Sequence, residues 1–361
     1  MKKQQKIFFD FLRFCIGSES EIPSSLKEAD WEELYAIAQK QCLVGVIFDG
    51  IRKLPAELVG MKKELLLQWM AESQMLEKAN VRLNDAAIQV SEWFRKKGFR
   101  TCILKGQGNA LMYPNPYSRT PGDIDIWVEG GDKRVISFVR SISPHEKACY
   151  HHIEFPSYKG VEVEVHYRPS FLLCFWHNRK LQKYYERVKE EQFSHRVMLR
   201  EQGEVAIPTA EFNLIFQLTH IFSHLMNEGI GLRQLVDYYF VLISDDLLLI
   251  RDRVQEELKE LGLWKFAGAI MYIMQEVFGM PAYRLIVPPN EKYGRFVLNE
   301  VLEAGNFGRH DARNRFGRSQ LGHNLQRVYR DMRLVKYFPA EAMSEPFFRV
   351  WHFFWRLKHR R

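Results

Sequence analysis

Hydrophobic and polar positions follow two different periods along the chain, and each change of period marks a structural boundary. Between residues 4 and 95, apolar side chains recur every three or four positions, which is typical of amphipathic helices. Prolines interrupt this pattern, and the last helix is predicted to run from Lys62 to Lys97, where Gly98 ends it. We therefore predict an N-terminal helical region over residues 1–95.

The middle of the chain has the period of β-strands. Phe99 to Leu104 and Asp123 to Val128 are short apolar segments, and Val161 to His166 alternates strictly between valine and polar residues. A helix is predicted over residues 132–142, between the second and third of these segments. These elements predict a small α/β domain over residues 96–205.

Helical spacing returns after Pro208. One apolar stripe runs from Phe212 to Met226 and a second from Leu232 to Ile243, and residues 253–278 also have the pattern of a helix. We predict a C-terminal helical domain over residues 206–305. The fold class is therefore predicted to be α+β, a small sheet domain flanked by N- and C-terminal helical regions.

Charge separates the last part of the chain, residues 306–361, from the rest. The 361 residues carry a formal net charge of +8, yet this segment alone has 13 Lys/Arg against 4 Asp/Glu. Its end is also rich in Phe and Trp. We interpret the segment as a basic helix that docks its aromatic side chains on the domain; contact with nucleic acid and adsorption to an anionic membrane surface are the alternatives.

Composition narrows the class of protein. With 46% hydrophobic and 27% charged residues the chain is of ordinary globular composition. It contains no run of about 18 uncharged apolar residues, so no membrane span is predicted. The five cysteines are scattered and form no CxxC pair, which predicts reduced thiols in a cytoplasmic protein and no cysteine zinc site.

Two carboxylates two positions apart, Asp123 and Asp125, are the first candidates for a functional site. On a strand both project to one face, while Ile124 and Ile126 face the core and direct the aspartates outward. Such a pair suits Mg²⁺, with Mn²⁺ as an alternative ion. A solvated strand end, or an aspartate that caps the following helix, is the structural alternative.

The segment Lys105-Gly106-Gln107-Gly108 lies eighteen residues upstream of Asp123, at the end of an apolar run. Its glycines permit a tight turn in which backbone N–H groups approach a phosphate, and a helix is predicted to begin there. Lys105 and Arg119 are then candidate phosphate contacts.

A third carboxylate is available on the alternating strand. Glu164 is the candidate for a metal ligand that also helps to deprotonate an attacking hydroxyl, and Glu162 competes for that role. His166 shares their face and is expected to orient the carboxylate or to meet the substrate. A solvent-facing strand surface is the alternative for Glu164 and His166.

A pair of histidines, His220 and His224, is spaced four residues apart on one face of a predicted helix. Together with Asp237 they are expected to form a buried polar network that faces the catalytic cleft, or to contact the substrate. Metal binding by the two histidines is the weaker alternative, since no third ligand stands at the spacing of a metalloprotease.

These residues resemble a known family, the uncharacterised bacterial nucleotidyltransferases of the polymerase-β superfamily. The resemblance rests on Leu104-Lys-Gly106, Tyr113, Arg119, Asp123-Ile-Asp-Ile126 and Glu164-Val-His-Tyr-Arg168, and it extends to the helical region with His220, His224 and Asp237. It implies Mg²⁺-dependent transfer of a nucleoside monophosphate from an NTP to a hydroxyl, with release of pyrophosphate. Gly106 is then the glycine of the phosphate turn, and Asp123, Asp125 and Glu164 are the metal ligands.

The chain departs from the superfamily at Gln107, which stands where a serine would contact phosphate; we keep Gln107 among the nucleotide-binding candidates. The leading hypothesis is an active enzyme with a small-molecule or protein acceptor. One alternative is a catalytically silent scaffold that binds nucleic acid through the basic end, and another is an antitoxin that modifies a partner protein.

Overall fold

Fourteen α-helices and six β-strands form in the part of the chain that the structure, a computed structural model, describes: residues 2–199, 203–244, 246–309, 311, 313 and 320–359. The helices are α1 (Lys3–Ile16), α2 (Trp31–Lys40), α3 (Val44–Ile51), α4 (Lys63–Lys96), α5 (Gly106–Ala110), α6 (Gly131–Ile142), α7 (Phe175–Ser194), α8 (Ala210–Asn227), α9 (Leu232–Leu242), α10 (Leu247–Glu260), α11 (Trp264–Phe278), α12 (Glu291–Ala304), α13 (Gln320–Leu334) and α14 (Pro339–Lys358). The strands are β1 (Thr101–Leu104), β2 (Ile124–Val128), β3 (His152–Tyr158), β4 (Val161–His166), β5 (Arg196–Met198) and β6 (Glu204–Ala206). The predicted α+β class is confirmed.

The four central strands form one sheet in the order β1-β2-β4-β3. β2 and β4 run parallel, whereas β1 pairs with β2 and β3 pairs with β4 in antiparallel register. The β3–β4 hairpin turns at Lys159 and Gly160, whose φ angles of 50° and 77° are those of a tight two-residue turn. Strand β3 was not predicted, although this turn directly precedes the alternating strand.

Both faces of β2 are covered, and this changes the position of the aspartates. Ile124 and Ile126 pack with α4 and α6, as expected. Trp127, on the opposite face, contacts Phe193 of α7 and Phe212 of α8. Asp125 shares that covered face, opposite the isoleucines as predicted, but it is only 4% exposed and is therefore buried rather than solvated.

The helical predictions are confirmed for the long helix α4 and for α9, and they fail in two places. Residues 253–278 belong to two helices, because Gly262, at a φ of 71°, lies in the turn between α10 and α11. Helix α7 was not predicted, because its polar and apolar residues give only a weak helical stripe.

Helices from both ends of the chain share one core. Helix α1 packs against α11, where the guanidinium of Arg13 donates to the carbonyl oxygens of Glu276 and Val277. Trp69 of α4 is fully buried and donates its indole N–H to the carbonyl of Val44. The division into parts at residues 95, 205 and 305 stays a prediction.

Helix α14 docks by one face, in line with the interpretation of the basic end. Glu341 accepts hydrogen bonds from the backbone N–H groups of Leu173 and Cys174, and Phe348 stacks on Phe171. The opposite face keeps aromatic side chains exposed, Phe347 among them. Residues 310, 312, 314–319, 360 and 361 of the predicted segment lie outside the described residues, and among the helices that are described none has the length and apolar character needed to cross a membrane.

Candidate active site

Three carboxylates converge where β2 and β4 run side by side. Asp125 lies opposite Glu164 in the parallel pairing of these strands, and Asp123 immediately precedes β2. Oxygen atoms of the three side chains lie within 4.8 Å of one another. Because Mg²⁺ prefers carboxylate oxygens, this arrangement fits a divalent cation.

The register of β4 distinguishes Glu164 from its competitor Glu162. Pairing of β2 with β4 begins at Ile124 and Val163, so Glu162 lies beyond the first paired position. Glu162 is exposed at the rim of the same cleft, whereas Glu164 is brought against the two aspartates.

Two cationic groups hold the buried carboxylate of Asp125. Lys105 Nζ and His166 Nε2 each lie 2.9 Å from Asp125 Oδ1. Burial opposes the negative charge, but Lys105 and His166 outweigh it and hold the pKa of Asp125 well below its usual range. The hydrogen bonds of His166 to Asp125 and Glu164 likewise overcome its burial and raise its pKa to about 9. At neutral pH this part of the site is a carboxylate held between two cations.

Asp123 has the opposite electrostatic environment. The neighbouring charge of Asp125 and partial burial raise the pKa of Asp123 to about 6. Two carboxylates this close repel each other, and a bound divalent cation removes that repulsion. The electrostatics and the donor set therefore agree in favouring a cation between Asp123, Asp125 and Glu164.

Divalent metal affinity is expected to depend on pH through Asp123. Above a pH of about 7 the carboxylate is ionised and the affinity stays constant; below about 6 the proton competes with the metal, so the affinity falls by up to about tenfold per pH unit. Titration of Mn²⁺ monitored by electron paramagnetic resonance measures this directly. Asp123→Asn should remove the pH dependence, and equal affinities at about pH 5 and pH 7 in the wild type would contradict the assignment.

The turn that precedes α5 has the conformation that its glycine allows. Lys105 and Gly106 have φ angles of 51° and 37°, a region that favours glycine, and a Cβ on Gly108 would approach Ile207 at 3.1 Å. Gln107 is 3% exposed, and its amide nitrogen donates to the side chain of Asn84 in α4. The structure thus directs the Gln107 side chain away from the cleft, contrary to its assignment as a nucleotide contact.

Arg119 also has a different environment from the one expected. Its guanidinium forms two hydrogen bonds of 2.8 Å with the carboxylate of Asp237, which accepts a third from the hydroxyl of Tyr113. All three side chains are almost fully buried. Arg119 therefore joins the sheet domain to α9 through an ion pair and is not free to bind phosphate, and Asp237 is occupied by the same pair.

The predicted network of His220, His224 and Asp237 is consequently divided. His220 Nε2 lies 3.4 Å from Lys105 Nζ, and the rings of His220 and His224 meet edge to face at 4.3 Å. Both histidines line the cleft. Burial and the charge of Lys105 hold the pKa of His220 well below its usual value, so the ring is neutral. The two histidines face the carboxylates without contacting Asp237.

Arg233 is a site residue that the sequence analysis did not select. It is 9% exposed and lies beside Gly122 at the cleft, and one of its terminal nitrogens donates to the carbonyl of Thr120. Its Nε has no hydrogen-bond partner among the described residues. A buried guanidinium with an unsatisfied donor is suited to an anion. The sequence indicates a role for Arg233 only through its position in the predicted helix, next to Leu232 and four residues before Asp237.

A second cluster that was missed lies on the other side of Glu164. His152 is the partner of His166 in the antiparallel pairing of β3 and β4, and His151 Nε2 lies 3.0 Å from His152 Nδ1. Burial and the neighbouring His166 lower the pKa of His152 to about 4, so the ring is neutral. Cys149 Sγ lies 3.5 Å from His151 Nδ1.

The carboxylates, Lys105, Arg233 and the histidines described above line one cleft of about 1640 Å³. Its lining includes the carboxylates of the two inner strands and, from α13 and α14, Arg327, Arg349, Phe353 and Arg356. A pocket for a drug-sized ligand is commonly about 300–1,000 Å³, so the cleft has room for two ligands.

Comparison with known proteins gives one match that covers most of the chain. A family model described as "Uncharacterised nucleotidyltransferase" matches residues 27–279. An antigenic nucleotidyltransferase-like protein from Paracoccidioides brasiliensis aligns with 50% of this chain and 90% of its own, at 14% identity and a TM-score of 0.29. No curated protein matches the sequence.

Proposed function

Because the chain belongs to this uncharacterised nucleotidyltransferase family, we propose that it transfers a nucleoside monophosphate from an NTP to a hydroxyl acceptor, a small molecule or a protein, and releases pyrophosphate. The observation that carries the proposal is the convergence of Asp123, Asp125 and Glu164 at the floor of the cleft. Lys105 lies 2.9 Å from Asp125, and Arg233 lines the same cleft beside Gly122. The family supports nucleotidyl transfer as the class of reaction.

The three carboxylates would hold Mg²⁺, with Mn²⁺ as an alternative ion of the same oxygen preference. When bound, the ion neutralises charge on the phosphate oxygens and on the leaving pyrophosphate. Arg233 and the backbone N–H groups of the Lys105–Gly106 turn would bind further phosphate oxygens. The acceptor oxygen forms a bond with the α-phosphorus, and the bond from that phosphorus to the bridging oxygen of pyrophosphate breaks.

The hydroxyl proton must leave as the acceptor attacks, and Glu164 is the carboxylate best placed to take it. Its side chain is 34% exposed, against 5% for Asp125, so an acceptor in the cleft reaches Glu164 first. His166 contacts both carboxylates and orients them. Its own hydrogen bonds fix the ring, which makes it a positioning residue in this scheme.

A silent scaffold remains the second candidate, and one observation favours it. The side chain that follows the turn glycine, Gln107, points to Asn84 and leaves the turn without a side-chain phosphate ligand. Such a protein would bind Mg·NTP without transferring it. An antitoxin that modifies a partner protein is a special case of the leading proposal, with a protein hydroxyl as acceptor.

Binding of nucleotides tests the first step of the proposal. Calorimetry with ATP, CTP, GTP and UTP should show Mg²⁺-dependent binding of at least one of them, abolished by EDTA. Arg233→Met should weaken NTP binding by about 10- to 100-fold, because a charge-assisted hydrogen bond to phosphate is lost, and should leave the affinity for the parent nucleoside unchanged.

The matched control is Arg295→Met, which removes an exposed arginine of α12 and should change neither affinity. Thermal unfolding of Arg233→Met checks that the loss of its bond to Thr120 leaves the protein folded. Absence of Mg²⁺-dependent heat with all four nucleotides would contradict the proposed function.

A further inference from the structure

The donor atoms around Glu164 differ in chemistry on its two sides. Toward β2 they are carboxylate oxygens of Asp123 and Asp125, and toward β3 they are ring nitrogens of His152 and His166. We propose that His152, His166 and Glu164 form a second cation site, selective for a first-row transition-metal ion such as Zn²⁺, which shares Glu164 with the carboxylate site. The existence of this site does not depend on the proposed function.

The distances from the two histidines to Glu164 fit tetrahedral zinc. His152 Nδ1 and His166 Nε2 each lie 3.4 Å from the same atom, Glu164 Oε2. With zinc bonds of about 2.0–2.2 Å to nitrogen and oxygen, tetrahedral geometry separates neighbouring ligand atoms by about 3.4 Å. Octahedral Mg²⁺, with bonds of about 2.0–2.1 Å, would need neighbouring ligands about 2.9 Å apart.

The frame that carries these donors is rigid. His152 and His166 are directly opposite each other on β3 and β4, and Glu164 lies two residues before His166 on the same face. A register irregularity between Phe155 and Tyr158 separates this pair from the turn, and the continuous pairing from His152 to Phe155 sets the register at the site. Three donor residues from paired strands therefore lie together at the cleft. Zinc binding there requires His166, which is protonated and hydrogen-bonded to Asp125 in the metal-free site, to lose its proton.

The surroundings favour a transition metal over Mg²⁺. Imidazole nitrogen suits Zn²⁺, whereas carboxylate and water oxygens suit Mg²⁺. His151 Nε2 lies 3.0 Å from His152 Nδ1, the same nitrogen that faces Glu164, so a metal bound there replaces this contact.

The two sites are coupled, and this consequence does rest on the proposed function. Glu164 belongs to both sets, and His166 also holds Asp125 at 2.9 Å. A zinc ion that binds His166 and Glu164 removes Glu164 as a ligand for Mg²⁺ and removes the contact of His166 with Asp125. Zinc is therefore expected to inhibit Mg²⁺-dependent NTP binding and transfer.

Zinc binding is measured on tag-free full-length protein by competition with a chromophoric zinc indicator, without Mg²⁺ or nucleotide. We expect one zinc ion per chain, and a loss of affinity of at least about tenfold in His152→Gln. His145→Gln, which removes an exposed histidine in a turn, is the matched control and should bind zinc as the wild type does. No zinc binding by the wild type, or equal affinity in His152→Gln, would overturn the site.

The ligand set is read from the absorption spectrum of the wild type loaded with Co²⁺, which needs no variant. Nitrogen and oxygen ligands give visible d–d bands without an intense near-ultraviolet thiolate charge-transfer band. That band would instead assign the metal to Cys149, His151 and His152, the neighbouring group that also lies within ligand distance, and would overturn the proposal.

Two variants separate this proposal from the proposed function. His152→Gln should lose zinc binding and zinc inhibition while Mg²⁺-dependent NTP binding persists. Asp123→Asn should lose Mg²⁺-dependent NTP binding and keep zinc. If the wild type binds zinc but no nucleotide, the proposed function fails and the zinc site stands.

Discussion

Asp123→Asn is expected to reduce Mg²⁺-dependent nucleotide transfer by at least about a hundredfold, because it removes one of three metal-binding charges. The substitution keeps the size of the side chain and its place before β2. Asp123 is the better choice for this test than Asp125, whose removal would leave Lys105 and His166 without their shared partner. Transfer, or Mg²⁺-dependent nucleotide binding, is compared with that of the wild type at saturating Mg²⁺.

The same substitution is expected to stabilise the metal-free protein, and this controls for misfolding. Asp123 has a pKa of about 6 against an ordinary value of 3.8, so ionisation costs stability as the pH rises through that interval, and the full cost applies above it. Because a pKa difference of one between the folded and unfolded states corresponds to about 1.4 kcal/mol, we expect the free energy of unfolding to rise by about 1–3 kcal/mol at neutral pH.

Thermal unfolding in EDTA should therefore show a higher Tm for Asp123→Asn at neutral pH, with the difference vanishing near pH 4. A lower Tm at neutral pH would mean that Asp123 stabilises the fold, and the repulsion between Asp123 and Asp125 would then be ruled out as a feature of the site.

Asp237→Ala is expected to cost about 3–5 kcal/mol of unfolding free energy, because it leaves the buried guanidinium of Arg119 without its partner. Tyr113 loses its hydrogen-bond acceptor at the same time. Urea unfolding followed by circular dichroism measures the difference. The loss is large because the ion pair is buried and connects the loop before β2 with α9.

Replacement of both charged residues tests whether the stability lost in Asp237→Ala is due to the unpaired charge of Arg119. Arg119→Met combined with Asp237→Leu removes the unpaired charge and should restore most of the stability lost in Asp237→Ala. A double variant less stable than Asp237→Ala would mean that the pair stabilises the fold by its own attraction.

The sequence predicted the local elements of the site well. The glycine turn, the Asp-x-Asp strand and the alternating strand with Glu164 are each defined by a short pattern, because alternation and turn residues depend on nearest neighbours. The choice between Glu162 and Glu164 as the third carboxylate depends on strand register. The pairing of Asp125 with Glu164 in the structure favours Glu164.

Contacts between residues that are far apart in the chain could not be predicted from the sequence. The partner of Arg119 is Asp237, 118 residues away, and the side chain of Gln107 is taken by Asn84 of α4. The residues next to Arg119 in the sequence do not distinguish an arginine that binds phosphate from one that forms a buried ion pair. His152 was missed for a related reason, since its role depends on pairing with His166 across the hairpin.

We propose that a nucleoside monophosphate is transferred at the site formed by Asp123, Asp125 and Glu164. The most direct test supplies Mg²⁺ and each NTP, labelled at the α- or the γ-phosphate, to the protein with cell extract as the source of acceptors. We expect α-label to become covalently attached to an acceptor and γ-label to leave as pyrophosphate, with neither in Asp123→Asn. Attachment of γ-label, or no attachment of α-label with any of the four nucleotides, would contradict nucleotidyl transfer at this site.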